Sequence, residues 1–120
     1  MDREAMQHRT KQFALRVIRL VEALPRGRTA DAIGRQLVRS ATSVGANYRA
    51  ACRAKSKADF VAKMGIVEEE TDETLYWMEL LVEAGIVSAS QLQPLLKEGD
   101  ELLALTVASI KTARGGSRNK

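Results

Sequence analysis

Glu70 and Glu73 lie three residues apart, which is a spacing found in catalytic and metal-binding carboxylate pairs. On a helix this spacing places both on one face. A di-iron site in a helix bundle, however, takes Glu-x-x-His pairs from facing helices, and the single histidine, His8, lies near the N-terminus. The sequence also has no Gly-rich phosphate loop and no nucleophile beside a base. We therefore expect no catalytic residue, metal, cofactor or small-molecule substrate, and arginine or backbone amides as partners of both carboxylates.

Four arginines fall together on one face of a second predicted helix, away from its apolar residues. These residues, the arginine row, are Arg35, Arg39, Arg49 and Arg53. Three interpretations stay open: a solvated face, pairing with the acidic third helix of the same or another chain, or contact with nucleic-acid phosphates.

A polar flank beside the arginine row consists of Ser40, Ser43 and Asn47. Asparagine is unusual inside so long a helix, because its side chain competes with the helical backbone for hydrogen bonds. We therefore predict that this flank forms a polar contact between helices, with the Asn47 amide hydrogen-bonded across it.

The charge is strongly divided along the chain, although its net value is only +4. Residues 1–57 hold 13 Lys/Arg and 4 Asp/Glu, whereas residues 58–101 hold 2 and 11. Residues 102–120 add 4 basic residues and no acidic ones. Such a division favours complementary docking within a molecule or between copies, and leaves basic surface for an anionic partner.

Apolar residues recur at helical spacing in four segments, and no segment shows the alternation of a strand. The predicted helices cover about residues 10–24, 30–54 with Thr29 as N-cap, 57–84 after Ser56, and 91–113 after Ser90. Short connections between them predict an all-α, up-down-up-down antiparallel four-helix bundle. We expect one domain over residues 1–113 and a basic disordered tail over 114–120.

The third helix carries two apolar stripes where a monomeric bundle needs one. The first, expected to face the core, consists of Phe60, Met64, Val67, Thr71, Leu75, Met78 and Val82. The second, which we call the α3 patch, contains Ile66, Glu70, Glu73, Trp77 and Leu80, followed by Ala84. Tryptophan is enriched in interface anchors. The α3 patch therefore predicts a subunit interface, with packing of Trp77 against a neighbouring helix as the alternative.

Cysteine content and hydropathy restrict the remaining possibilities. Cys52 is the only cysteine, so an intrachain disulfide and a cysteine-based zinc cage are excluded, and a buried thiol is the favoured interpretation. The N-terminus lacks a hydrophobic signal core, and no apolar run approaches the roughly 20 residues of a membrane span. We expect a cytoplasmic protein without a membrane partner.

The sequence from Arg39 to Leu81 resembles the bacterial four-helix-bundle family of 23S rRNA-intervening-sequence proteins. Two blocks carry the resemblance in order: RSATSVGANYRAACRA at 39–54 and SKADFVAKMGIVEEETDETLYWMELL at 56–81. A looser similarity extends over about residues 10–113. One departure is Ala50, where many members carry glutamate.

The resemblance implies a homo-oligomer, typically a pentameric ring, with no established enzymatic activity. A similar accessory protein of diversity-generating retroelements is a basic pentamer that binds nucleic acid. The leading hypothesis is thus a self-assembling protein whose basic surface contacts RNA or DNA. The alternative is an adaptor directed only at proteins, since few aromatic residues are free to stack on bases. An enzyme would have to rely on Glu70 and Glu73.

Overall fold

A computed structural model of the chain describes residues 2–115, and all regular structure within them is helical. The all-α four-helix bundle predicted from the sequence is confirmed. The helices, numbered in chain order, are α1 (Arg3–Glu22), α2 (Arg28–Cys52), α3 (Lys57–Glu83) and α4 (Ala89–Gly115).

The four helices form an elongated body of 54 × 22 × 20 Å. Each helix packs against the next along the chain; the α2–α3 interface is the most extensive, and the α1–α4 interface is the least. The start of α1 meets the end of α2, where Arg3 Nη1 donates to the Cys52 carbonyl oxygen. Toward the opposite ends Val21 lies against Gly34. These contacts are those of antiparallel neighbours and fit the predicted up-down order.

The core is built almost entirely from aliphatic side chains and methionine, because the chain has few aromatic residues. Five residues of the stripe predicted to face the core from α3 are buried, and Phe60 and Val82 at its ends are partly buried. The largest side chains that are fully buried are Phe13, Leu37, Met64, Met78, Leu81, Leu92 and Leu102.

The first helix begins seven residues before the predicted start at Thr10. Asp2 is its N-cap, and the Asp2 carboxylate accepts a hydrogen bond of 2.7 Å from the Ala5 backbone amide. Met6 and Thr10 then bury one face toward the core. Aspartate is a preferred N-cap residue, so Asp2 was the sequence signal for this earlier start.

The N-caps of the other helices agree with the sequence at one of three positions. Ser56 caps α3 by accepting from the Asp59 amide, as predicted. The N-cap of α2 is Gly27, without a side-chain hydrogen bond, so Thr29 lies inside the helix. Ser88 accepts from the Gln91 amide at the start of α4, which places the beginning of that helix before Ser90.

The α3 helix ends at a glycine with a left-handed backbone. Gly85 has φ of 75°, and the Ile86 amide donates back to the Leu81 carbonyl. This pattern satisfies carbonyls that the helix end leaves open, and glycine adopts its conformation without a Cβ clash. At the other end of the bundle α4 continues to Gly115, two residues beyond the predicted limit. Residues 116–120 of the predicted tail lie outside the described residues.

Candidate functional site

The α3 patch lies on the outer side of α3, toward α2. Ile66 is 41% exposed, whereas Trp77 and Leu80 are partly buried and pack against the core. Tyr76, the residue beside Trp77, is 52% exposed, with its ring edge-on to the indole at 5.2 Å between centroids. Tyr76 thus lies exposed against a tryptophan that is only partly covered by its own bundle, and Ile66 is exposed three turns earlier on the same helix.

Both carboxylates of the α3 patch face Arg39 of α2. The Arg39 guanidinium donates to Glu73 Oε2 and lies 3.3 Å from Glu70 Oε1. Glu73 Oε2 also accepts a hydrogen bond of 3.0 Å from the Trp77 indole N–H. The arginine partner predicted for these carboxylates is therefore present, and both carboxylates are held in an ion-pair network that crosses from α2 to α3.

The network favours the charged forms of its members. The pKa of Glu73 is lowered, first by the hydrogen bond from Trp77 and then by the one from Arg39. The pKa of Arg39 is raised, chiefly by its hydrogen bond to Glu73. A general acid would need the opposite shift, toward a carboxyl group that stays protonated near neutral pH. Within residues 2–115, Glu70 Oε1 is buried and accepts no hydrogen bond.

Of the polar flank, Ser40 makes the contact between α2 and α3, and Ser43 and Asn47 do not. The hydroxyls of Thr74 and Ser40 are hydrogen-bonded at 2.9 Å, and both side chains are fully buried. The hydrogen bonds of Ser43 and Asn47 instead stay within α2: Ser43 donates to the Arg39 carbonyl and Asn47 to the Ser43 carbonyl. The predicted interhelical bond of Asn47 is thus corrected, because its amide reaches the carbonyl one turn earlier.

The arginine row divides into one paired and three unpaired members. Arg39 pairs with α3 as described, whereas Arg35, Arg49 and Arg53 are exposed and form no salt bridge within residues 2–115. Of the three interpretations, pairing with the same chain holds for one residue only. The other three leave their positive charges at the surface.

Two grooves on the α1–α2 side contain members of the row. One, of about 430 Å³, brings Arg49 beside Lys11 and His8 of α1, over a floor that includes Gly45. The other, of about 490 Å³, contains Arg35 and Arg26 together with Glu22 and Asp31, near the far end of the same helix pair. The first groove is therefore basic, whereas the charges that line the second one balance.

The division of charge along the sequence becomes a division between sides of the bundle. Helix α1 contains five Lys/Arg and two Asp/Glu, and α2 contains four and one. Helix α3 contains two Lys/Arg and eight Asp/Glu, while α4 has three of each. The α1–α2 side is basic, whereas α3, which packs against α2 and lies diagonally from α1, is acidic.

Sequence reasoning missed a second arginine–glutamate cluster, between α1 and α4. Arg9 donates from Nε to Glu98 Oε2 at 2.7 Å and from Nη2 to Glu98 Oε1 at 2.9 Å. A further bond joins Arg9 to Glu101. The signal available in the sequence was the pair of glutamates three residues apart, but nothing local identified the arginine that meets them.

The part of the chain that the structure describes contains no candidate metal site and no candidate membrane span. No three side chains among His, Cys, Asp and Glu are placed to hold a metal ion together. None of the four helices is long and apolar enough to cross a bilayer. Nothing in the described residues positively indicates catalysis.

Comparison with known proteins agrees with the resemblance seen in the sequence. The model of the 23S rRNA-intervening sequence protein family matches residues 3–108. A crystal structure of a protein of unknown function from the S23 ribosomal protein family of Bacteroides thetaiotaomicron superposes with a TM-score of 0.86 at 33% identity. That match covers 93% of this chain and 100% of the other. No curated protein matches. The chain belongs to the 23S rRNA-intervening sequence protein family.

Proposed function

We propose that the protein is a non-enzymatic assembly protein, a homo-oligomer whose basic α1–α2 side binds RNA or DNA. The observation that carries the self-assembly is the α3 patch with its neighbour Tyr76. The bundle already has an aliphatic core, yet Tyr76 remains exposed beside the partly covered Trp77, and Ile66 is exposed three turns earlier on α3. Apolar surface placed around an aromatic anchor is typical of protein interfaces. The family resemblance, which implies pentameric rings, supports the same proposal.

Light scattering after size exclusion tests the self-assembly. The chain has a mass of 13.2 kDa, so a pentamer would elute with a mass of about 66 kDa. A protein that remains at the monomer mass at tens of micromolar would contradict the proposal. Any stable higher multiple supports assembly and defines the size of the oligomer.

The nucleic-acid part of the proposal is supported by the three unpaired arginines of the row. Arg35, Arg49 and Arg53 are exposed, and two of them border the grooves of the α1–α2 side. Arginine binds phosphate well because its planar guanidinium stays charged and donates in pairs. Phosphate contacts release counterions, so binding must weaken as the salt concentration rises.

Fluorescence anisotropy with labelled RNA and DNA over a salt series measures this dependence. The triple variant Arg35→Gln/Arg49→Gln/Arg53→Gln is expected to weaken binding and to reduce the slope of log K against log salt by roughly 2–3. The matched control removes three positive charges from α4, as Lys97→Gln/Lys111→Gln/Arg114→Gln. Absence of binding at low salt, or equal effects of both variants, would refute the contact through the arginine row.

A second candidate, an adaptor that binds only proteins, is favoured by the shortage of free aromatic rings. Phe13 and Tyr48 are buried, Phe60 and Trp77 are partly buried, and Tyr76 is the exposed aromatic residue among those described. Modules that bind single strands usually stack bases on aromatic side chains. Specific retention of one protein from nuclease-treated lysate, together with no nucleic-acid binding at low salt, would select this candidate.

A further inference from the structure

Three large hydrophobic side chains are exposed in the described part of the chain, and they lie on two helices. Leu15 of α1 is 37% exposed, Ile66 of α3 is 41% exposed and Tyr76 of α3 is 52% exposed. Helices α1 and α3 do not pack against each other, because α2 and α4 lie between them. The exposed apolar residues therefore form two patches on opposite sides of the bundle.

The patch on α1 is apolar in its centre and basic at its margins. Leu15 and the partly buried Ile18 lie one turn apart, and Lys11 and Arg19 each lie four residues from Leu15. Residues four apart share one helix face. Lys11 and Arg19 are exposed and form no salt bridge within residues 2–115. We call these four residues the α1 patch.

The corresponding side of α3 has the same layout with the opposite charge. Ile66 and Leu80 of the α3 patch, and Tyr76 at its margin, lie beside the exposed Glu69, which forms no salt bridge within residues 2–115. Glu70 and Glu73 of the patch are already paired with Arg39. Asp72 and Glu83 lie near this side of the helix and, like Glu69, are exposed. Each copy thus carries an apolar strip with cations on α1 and an apolar strip with carboxylates on α3.

We propose that copies of this chain join head to tail, with the α1 patch of one copy docked on the α3 patch of the next. This inference rests on the proposed self-assembly and names its two surfaces. Pairing two α3 patches would oppose carboxylates to carboxylates, and pairing two α1 patches would oppose cations to cations. Like charges facing each other disfavour both arrangements, whereas the mixed pairing satisfies both charge and apolar burial.

Head-to-tail pairing has a consequence for the symmetry of the assembly. Each copy uses two different surfaces, so the contact repeats until a ring closes, whereas a two-fold dimer would use one surface twice. Arg35 and Arg53 of α2 lie outside both patches. Lys11 of the α1 patch lines the same groove as Arg49, so docking there would restrict that groove. Of the unpaired arginines of the row, Arg35 and Arg53 are therefore the ones that the assembly leaves for phosphates.

Two variants, each blocked on one patch, test the pairing. The first carries Leu15→Glu and Arg19→Glu, and the second carries Ile66→Glu and Tyr76→Glu. Each has one damaged patch, so neither can form a ring; each is expected at the mass of one chain. Mixed together they retain one intact patch of each kind, and a 1:1 pair of about 26 kDa is expected by native mass spectrometry and light scattering.

Controls separate this inference from the self-assembly on which it rests. Ala104→Glu/Ala108→Glu changes two exposed positions of α4 and is expected to keep the full assembly. Circular dichroism verifies that each variant is helical; the milder Leu15→Ser and Ile66→Ser replace any variant that is not. A wild-type monomer would overturn both proposals. A wild-type oligomer that survives either blocked patch, or blocked monomers that fail to pair when mixed, would overturn the head-to-tail contact alone.

Discussion

Two arginines in this bundle are each held by two glutamates three residues apart on a neighbouring helix. Arg39 of α2 meets Glu70 and Glu73 of α3, and Arg9 of α1 meets Glu98 and Glu101 of α4. We call them the Arg39 cluster and the Arg9 cluster. The Arg39 side chain is 48% exposed, whereas that of Arg9 is 27% exposed and grips Glu98 with two hydrogen bonds.

The clusters differ in what surrounds them. The Arg39 cluster lies on the most extensive helix interface, where the buried Ser40–Thr74 bond already joins α2 to α3. The Arg9 cluster lies on the least extensive interface, so a larger share of the attachment of α1 to α4 depends on it. The same chemical motif is thus expected to stabilise the fold more at α1–α4 and to be more available for other contacts at α2–α3.

The largest expected effect concerns the close packing beside the Arg9 cluster. Gly99 follows Glu98, and a Cβ there would lie 2.7 Å from Leu75 Cδ2 and 3.4 Å from Phe13 Cζ. Gly99→Val should therefore lower the free energy of unfolding by about 1–3 kcal/mol through overpacking. Urea denaturation at fixed protein concentration measures it.

A matched control is available in α3. A Cβ at Gly65 meets nothing within 4 Å, so Gly65→Ala should raise stability by about 0.5–1 kcal/mol through its better helix propensity. If both substitutions were neutral, the helices near Gly99 would not be as closely packed as the structure describes.

The next prediction compares the two arginines directly. Arg9→Met should lower the free energy of unfolding by about 1–2 kcal/mol, between the values for exposed and buried ion pairs, because it leaves the partly buried Glu98 without its partner. Arg39→Met leaves Glu70 unpaired at a similar exposure, 19% against 17% for Glu98. It should still cost less, since the Arg39 guanidinium is more exposed and Glu73 keeps its hydrogen bond from Trp77. Chemical denaturation of both variants under one condition gives the order, and a larger loss at Arg39 would reverse the comparison.

The sequence separation between each arginine and its glutamates decides whether the cluster can be predicted from the sequence. Arg39 lies fourteen residues before the link 53–56, and Glu70 lies fourteen after it. A short link between antiparallel helices brings such equidistant residues together, so the contact was accessible from the sequence. Arg9 and Glu98 are separated by three links and two whole helices. Their register depends on every intervening turn and on core packing, which no local pattern encodes.

Helix faces and N-caps also show that features set by nearby residues are easier to predict than those set by distant ones. The core stripe of α3 and its Ser56 cap follow from residues within one or two turns, and both were predicted. The start of α1 was missed because Asp2 precedes a segment whose charged residues conceal a buried stripe through Met6 and Thr10. Whether the α3 patch forms a subunit interface depends on a second molecule, and it stays a prediction.

A smaller effect is expected at the buried hydroxyl pair of the α2–α3 interface. Thr74→Val keeps the shape of the side chain but removes the hydroxyl that bonds Ser40 Oγ and the Glu70 carbonyl, and should lower the free energy of unfolding by about 1 kcal/mol. Thr42→Val is the control, because the exposed Thr42 hydroxyl bonds within its own helix and its loss should change stability by under about 0.5 kcal/mol. Thermal and urea unfolding of the pair distinguish them; equal losses would show that the interhelical bond contributes nothing particular.

The smallest expected effect is the pH dependence of the Arg39 cluster. The Trp77 and Arg39 hydrogen bonds hold the pKa of Glu73 below its ordinary value of 4.5 in the folded state. The unfolded chain therefore binds a proton at Glu73 more readily than the folded chain does. The stabilisation from this carboxylate is complete above about pH 4.5 and is lost as the pH falls through the lowered pKa.

Denaturation of wild type and Glu73→Gln from pH 3 to pH 7 measures this contribution. The stability difference between them should be largest near neutral pH and should shrink as the solution is acidified, with emission of the single tryptophan, Trp77, as the probe. Glu79→Gln, at an exposed position of the same helix, controls for loss of one negative charge. A difference that stays constant over the whole range would mean that Glu73 is not stabilised by its charge. In that case the Arg39 cluster would contribute to stability only through the packing of Trp77, whereas the Arg9 cluster contributes through an ion pair with two hydrogen bonds.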